Sequence, residues 1–74
     1  MKGFIEVTPQ YYDEDAEKYV SCEYSCLINI NHICEIRENT IYYNYSDDIF
    51  NKNQSYVLCA ETYEEIIEKI REAI

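Results

Sequence analysis

Residues 55–74 read SYVLCAETYEEIIEKIREAI, and the change of period inside this stretch decides the fold class. Residues 55–60 form a nearly unbroken apolar run, the length of one strand and apolar enough for a central place in a sheet. Thr62 then opens a helix. Thr62-x-x-Glu65 is a capping box, in which the hydroxyl accepts from the Glu65 amide and the carboxylate reaches back to the Thr62 amide. Glu64 and Glu65 also suit the positive end of the helix dipole. Beyond the cap, Tyr63, Ile66, Ile67, Ile70 and Ile74 recur at three- and four-residue intervals and make one apolar stripe. Glu65 and Lys69 form an i,i+4 pair on the outer side, worth about 0.3–0.5 kcal/mol. A strand running into an amphipathic helix, with strands and turns before it, predicts an α+β domain.

Working back toward the N-terminus, the chain reads as strands and turns. Residues 33–38 and 40–45 are two short strands rich in β-branched and aromatic residues, separated by Glu38-Asn39, which predicts a hairpin. Residues 46–54, SDDIFNKNQ, have loop chemistry apart from Ile49 and Phe50. Residues 29–32 read as a turn, because Asn tolerates left-handed backbone angles and forms Asx-turns. In residues 19–30, Val20, Cys22, Tyr24, Cys26, Ile28 and Ile30 fall at every second position. That alternation predicts one half-buried strand, long enough to need a bulge or bend. Residues 10–18 are acidic and aperiodic, and read as a hairpin connection or loop. Residues 4–7 are a first short strand, which Pro9 ends because it has no amide to donate.

The totals bound what such a chain can do. Its 74 residues make one domain, residues 1–74. A lone core of this size supplies roughly 3–5 kcal/mol, so self-association would help. The net charge is −9, from 15 acidic and 6 basic residues. The six, Lys2, Lys18, Arg37, Lys52, Lys69 and Arg71, are scattered along the chain. Phosphate backbones and anionic lipid surfaces are bound by clustered Lys and Arg, so both partner classes are disfavoured. No apolar stretch reaches the roughly 20 residues that span a bilayer, and Met1–Glu6 has no signal-peptide core. The expected location is the cytoplasm, with Cys22, Cys26, Cys34 and Cys59 reduced. Over-use of Ile, Tyr and Asn, whose codons are AT-rich, points to a bacterial or phage genome.

No catalytic, cofactor or metal constellation stands out, and the reading is that the protein is not an enzyme. Cys22 and Cys26, four apart on a strand, would sit about 13 Å from each other at about 3.3 Å per residue. That is too far to share a zinc ion, and with Cys34, Cys59 and His32 added the spacing still matches no zinc motif. The cysteines read as small hydrophobes. A Cys–His pair using His32 with Cys34 or Cys59 lacks any flanking signature. Asp13-Glu14-Asp15 and Asp47-Asp48 lack the fixed ligand positions and the Gly of a calcium loop. The nine tyrosines are more informative. A domain this small cannot bury them all, and Tyr is enriched at interfaces. Tyr42, Tyr43, Tyr45 and Tyr56 are the candidate interface residues.

Residues 27–36 (LINI-NHICEI), Thr40-Ile41-Tyr42-Tyr43 and residues 57–70 (VLCAETYEEIIEKI) together resemble small bacterial FlbD-type proteins linked to flagellar and swarming motility, and similar short bacterial and phage proteins. The matching positions are Asn29, His32, Ile33, Thr40, Ile41, Thr62, Glu64, Glu65 and Ile70. The resemblance spans residues 27–74 and implies a turn, a strand and a terminal helix, with no catalytic residue to carry over. The 11–17 segment, the 46–54 loop and the four cysteines depart from that pattern.

The combined expectation is an α+β fold, a small antiparallel sheet or partly open barrel of four to five strands with one C-terminal helix. Its core is Phe4, Ile5, Val7, Val20, Cys22, Cys26, Ile28, Ile33, Ile36, Ile41, Val57, Leu58, Cys59, Ile66, Ile67 and Ile70. The expected function is that of an acidic protein-interaction or regulatory accessory module, a homo-oligomer or the partner of another protein. The alternatives are a nucleic-acid-associated regulator and a thiol- or metal-binding protein.

Overall fold

The computed structural model describes residues 2–44 and 54–74. Among these the chain forms β1 (Phe4–Val7), β2 (Gln10–Asp13), β3 (Lys18–Ser21), β4 (Cys26–Asn29), β5 (Ile33–Arg37), β6 (Thr40–Asn44), β7 (Gln54–Leu58) and α1 (Tyr63–Ala73), with a 3-10 turn at Ile30–His32. The fold is α+β. Every pairing is antiparallel, in three small open sheets ordered β1–β4, β2–β3 and β5–β6–β7. Seven short strands replace the expected four to five, and they do not close into a barrel.

The extra strands come from two places. Residues 19–30 are not one strand. β3 turns back on β2, whereas β4 crosses to β1, and residues 22–25 link them. The β2–β3 ladder runs out at Pro9: the Cys22 amide donates to the Pro9 carbonyl at 2.8 Å, and Pro9 has no amide to return the bond. The acidic 10–18 segment then supplies β2 and the turn itself. Asp13 Oδ1 accepts from the amides of Asp15 and Ala16 at 3.0 and 3.3 Å, and Glu17 takes a φ of 52°. Across the hairpin the Tyr12 and Tyr19 rings meet edge to face, 5.3 Å between centroids.

Other local readings hold. Asn29 Oδ1 accepts from the Asn31 amide at 2.9 Å, an Asx-turn that starts the 3-10 turn. β5 and β6 form the expected hairpin through Glu38 and Asn39, with Glu38 at φ 51° and a bulge between Ile33 and Glu35. Both arms of the Thr62–Glu65 capping box are made at 3.2 Å. Glu65 is therefore held by the cap, and the helix ion pair is Glu68 with Arg71 at 3.7 Å. β7 is an edge strand with β6 at the centre, and its first residue is Gln54, which had read as loop. The rest of the expected 46–54 loop lies outside the described residues.

The buried core is Ile5, Val7, Ile28, Ile41, Cys59, Ile66 and Ala73, with Cys26, Ile30, Ile33, Ile36, Val57 and Ile70 packed against it. The helix lies on β1 and faces it with Ile66, Ile70 and Ala73, spaced i, i+4, i+7. Ala73 escaped the sequence reading because it is small. Tyr63 and Ile74, placed in the stripe, are exposed. So is Phe4, because successive strand residues face opposite ways and Ile5 holds the inward position. Val20 and Cys22 are only half-buried, on the β2–β3 hairpin side rather than in the core. The Gly3 amide caps the helix by donating to the Ala73 carbonyl at 2.8 Å. Gly3 does so at φ 85°, where a side chain would meet no atom but the backbone disfavours one.

Candidate functional site

The direction of each edge amide follows from two hydrogen bonds. The Ile30 amide donates to the Gly3 carbonyl at 3.0 Å, which makes 3–30 a bonded pair of the β1–β4 ladder. Bonded and non-bonded pairs alternate in an antiparallel ladder. Ile5–Ile28 and Val7–Cys26 are therefore bonded, and Leu27 and Asn29 turn their backbone groups away from β1. Similarly, the Cys59 amide donates to the Asn39 carbonyl at 2.8 Å, so Ile41–Val57 and Tyr43–Ser55 are bonded pairs. Tyr56 accordingly turns its amide and carbonyl outward from β7. Among the described residues no hydrogen bond meets the outward groups of Leu27.

Both of these strand edges border one cleft of about 560 Å³. All four residues of β4, Cys26 to Asn29, line it. Successive strand residues point to opposite faces, so a cleft touching four in a row runs along the strand edge. Tyr56 and Val57 of β7 and Tyr43 of β6 form the facing side. Phe4, Pro9, Tyr24 and His32 complete it. Among the described residues no lining side chain is an acid, Lys or Arg. The size and the mostly apolar lining are those of a binding site.

The predicted interface tyrosines divide. Tyr43 and Tyr56 line the cleft. Tyr42 is not among the lining residues; it shares a sheet face with Tyr56, with which it is in register, their rings 6.0 Å apart. The Arg37 guanidinium lies 5.8 Å from the Tyr42 centroid, held by Glu35 Oε1 at 2.8 Å. Tyr45 lies outside the described residues. Sequence reasoning missed Phe4, Tyr24, Leu27 and His32 as lining residues. The available signal was that Leu27 falls on the outer face of the alternation.

Three cysteines gather at the Thr8–Pro9 crossover between β1 and β2. The Cys22 amide bonds Pro9, Cys59 forms a bridge beside Pro9, and Cys26 pairs with Val7. The crossover is fastened to the chain before the helix: the Ala60 amide donates to the Thr8 carbonyl at 2.7 Å, and the Thr8 amide donates to the Glu61 carboxylate at 2.9 and 3.2 Å. All four thiols are free. Burial, then the Glu61 charge, pushes the Cys59 thiol up to about 12, and the same causes raise Cys26. A hydrogen bond with Cys22 raises the Tyr24 hydroxyl. These shifts are opposite to those of an activated nucleophile. The thiols of Cys34 and Cys59 are directed at the backbone carbonyls of His32 and Val57, both at 3.8 Å. Among the described residues no group of three or more His, Cys, Asp or Glu could hold a metal ion.

The thiol environments give an expected order of reactivity. With an excess of an aromatic disulfide reagent at pH 8, exposed Cys34 reacts first and buried Cys59 reacts only as the chain unfolds. The sign for stability follows from the raised Cys59 pKa. Below the ordinary value of 9.0 the thiol is neutral in both states, and between 9.0 and about 12 only the unfolded chain ionises. Stability is therefore lost as pH rises above 9. Urea midpoints at pH 8 and 9.8 should separate more for the wild type than for Cys59→Val; equal separations would contradict the assignment.

No helix among the described residues is long and apolar enough to cross a membrane. No protein-family model matches the chain, and comparisons with curated proteins and with solved structures give no match.

Proposed function

We propose that this chain is a small acidic protein-interaction or regulatory accessory module of bacterial or phage origin, without catalytic activity, that docks other proteins in the cleft between β4 and β7. The observation that carries this reading is the cleft itself: mostly apolar, with no acid, Lys or Arg among the described residues that line it, and bordered by exposed Leu27, Tyr24 and Tyr56. Large exposed aromatics around a desolvated pocket are what binding hot spots are made of. The free thiols fit a reducing cytoplasm. The resemblance of residues 27–74 to FlbD-type proteins supports an accessory role and supplies no catalytic residue.

The test selects random twelve-residue peptides from a display library on the immobilised chain and measures each against wild type and Leu27→Glu. Leu27 is 51% exposed, so the substitution leaves the core alone. Selected peptides should bind the variant at least about tenfold more weakly, a loss of about 1.4 kcal/mol. Recovery of no peptide, or of peptides indifferent to the change, would contradict the reading.

A further inference from the structure

We propose that the cleft is a strand-addition site: an extended segment of a basic partner protein, with apolar residues at alternate positions, pairs with the open edge of β4. The proposal rests on the docking reading above and names its mode and its partner chemistry.

The strand sequences carry the first part. β1 holds Glu6, β2 Asp13, β3 Lys18, and β5 both Glu35 and Arg37 together with a bulge. Charges and bulges are how sheet edges are kept from pairing with other chains. Among the described strands only β4 (CLIN), β6 (TIYYN) and β7 (QSYVL) have no charged residue. β6 is central and has no edge. The two unguarded edges are thus β4 and β7, and they are the two that border the cleft. The outward amide and carbonyl of Leu27 and the outward amide of Asn29 are the groups an added third strand would bond. The cleft is lined by Cys26 and Ile28 from one face of β4 and by Leu27, with Phe4, from the other, and alternate side chains of the added strand would sit against these. Main-chain bonds for affinity and alternate pockets for specificity are the elements of strand addition.

Charge selects the occupant. Glu6 stands opposite Leu27 in register, Glu23 adjoins Tyr24, and the Glu61 charge reaches Cys26. Three of the six cations are engaged with acids away from the cleft: Arg37 is bound to Glu35, Arg71 to Glu68, and Lys18 sits opposite Asp13 in the β2–β3 hairpin. A second copy would bring its own net charge of −9 to an acidic rim. A segment flanked by Lys and Arg meets that rim favourably and gains on-rate from it.

The experiment uses the full chain and an array of nine-residue peptides with apolar residues at alternate positions, half flanked by Lys/Arg and half by Asp/Glu. Binders should come from the basic half and weaken several-fold between 50 and 500 mM salt. In the amide spectrum of the labelled chain the best binder should slow hydrogen exchange at Leu27 and Asn29. Methylating the peptide's backbone nitrogens at alternate positions should weaken it about tenfold, the worth of one or two lost hydrogen bonds. That control needs no variant of the protein and so cannot fail through misfolding. Binding in the cleft that leaves the Leu27 and Asn29 amides unprotected would overturn strand addition and leave the docking function standing. Binders drawn equally from both halves would overturn the basic partner. Self-association through these amides that no peptide displaces would make a second copy the occupant and overturn the proposal. No binder in either half would sink both readings.

Discussion

Ile41→Ala should leave most of the chain unfolded at 25 °C. Ile41 has no exposed surface, and it sits at the middle of the central strand β6, in register with Ile36 on one side and Val57 on the other. Replacing a fully buried Ile by Ala costs about 2–5 kcal/mol, through lost transfer energy and the cavity left behind. A lone core of this size supplies about 3–5 kcal/mol in all. The substitution thus removes most of what holds the domain together. Ile41→Val removes one methylene and should cost about 0.5–1.5 kcal/mol, leaving a folded chain. Urea titrations followed by far-ultraviolet circular dichroism separate these outcomes. A cooperative transition for Ile41→Ala within about 1 kcal/mol of wild type, the size of an ordinary substitution, would mean that the core is elsewhere.

The second large effect is a contrast between neighbours. Ile28→Pro should unfold the chain, whereas Leu27→Pro should be tolerated. The ladder phase set by the Ile30–Gly3 bond turns the Ile28 amide inward to Ile5. Proline at 28 leaves the buried Ile5 carbonyl unpaired, at about 1–3 kcal/mol, and also replaces a core side chain that is only 6% exposed. The sum is comparable to the whole stability of about 3–5 kcal/mol. The Leu27 amide points off the sheet edge, where proline removes no bond. Its cost should stay within about 1 kcal/mol. The same urea titration checks both variants. Equal losses for the two would mean that β4 has a partner on both sides.

What could be read from the residues is what depends on near neighbours. The Thr62–Glu65 capping box, the Asx-turn at Asn29 and the β5–β6 hairpin each involve groups within a few positions, and each is present. What could not be read depends on where a strand finds its partner. The alternation from Val20 to Ile30 is continuous in sequence, yet Pro9 ends the ladder of β3, and β4 crosses to β1. Tyr24 fell on the expected inner face and is 64% exposed, because it sits in that crossing. Residues 55–60 are apolar enough for a central strand, but β7 lies at an edge and its apolar side chains border the cleft. The site shares this cause. It joins β4 to β7, segments far apart in the chain, and only the ladder phases show which amides face it. Tyr43 and Tyr56, named from composition, line the cleft, whereas the places of Leu27 and Phe4 needed the register.

The most direct test of the account is residue-resolved hydrogen exchange along β4, in the free chain and with the best basic peptide from the array. The account predicts slow exchange at Ile28 in both states, fast exchange at Leu27 and Asn29 in the free chain, and slow exchange at those two once the peptide is bound. Leu27 and Asn29 already slow in the free chain, or still fast beside a bound peptide, would contradict an open β4 edge that docks its partner as a strand.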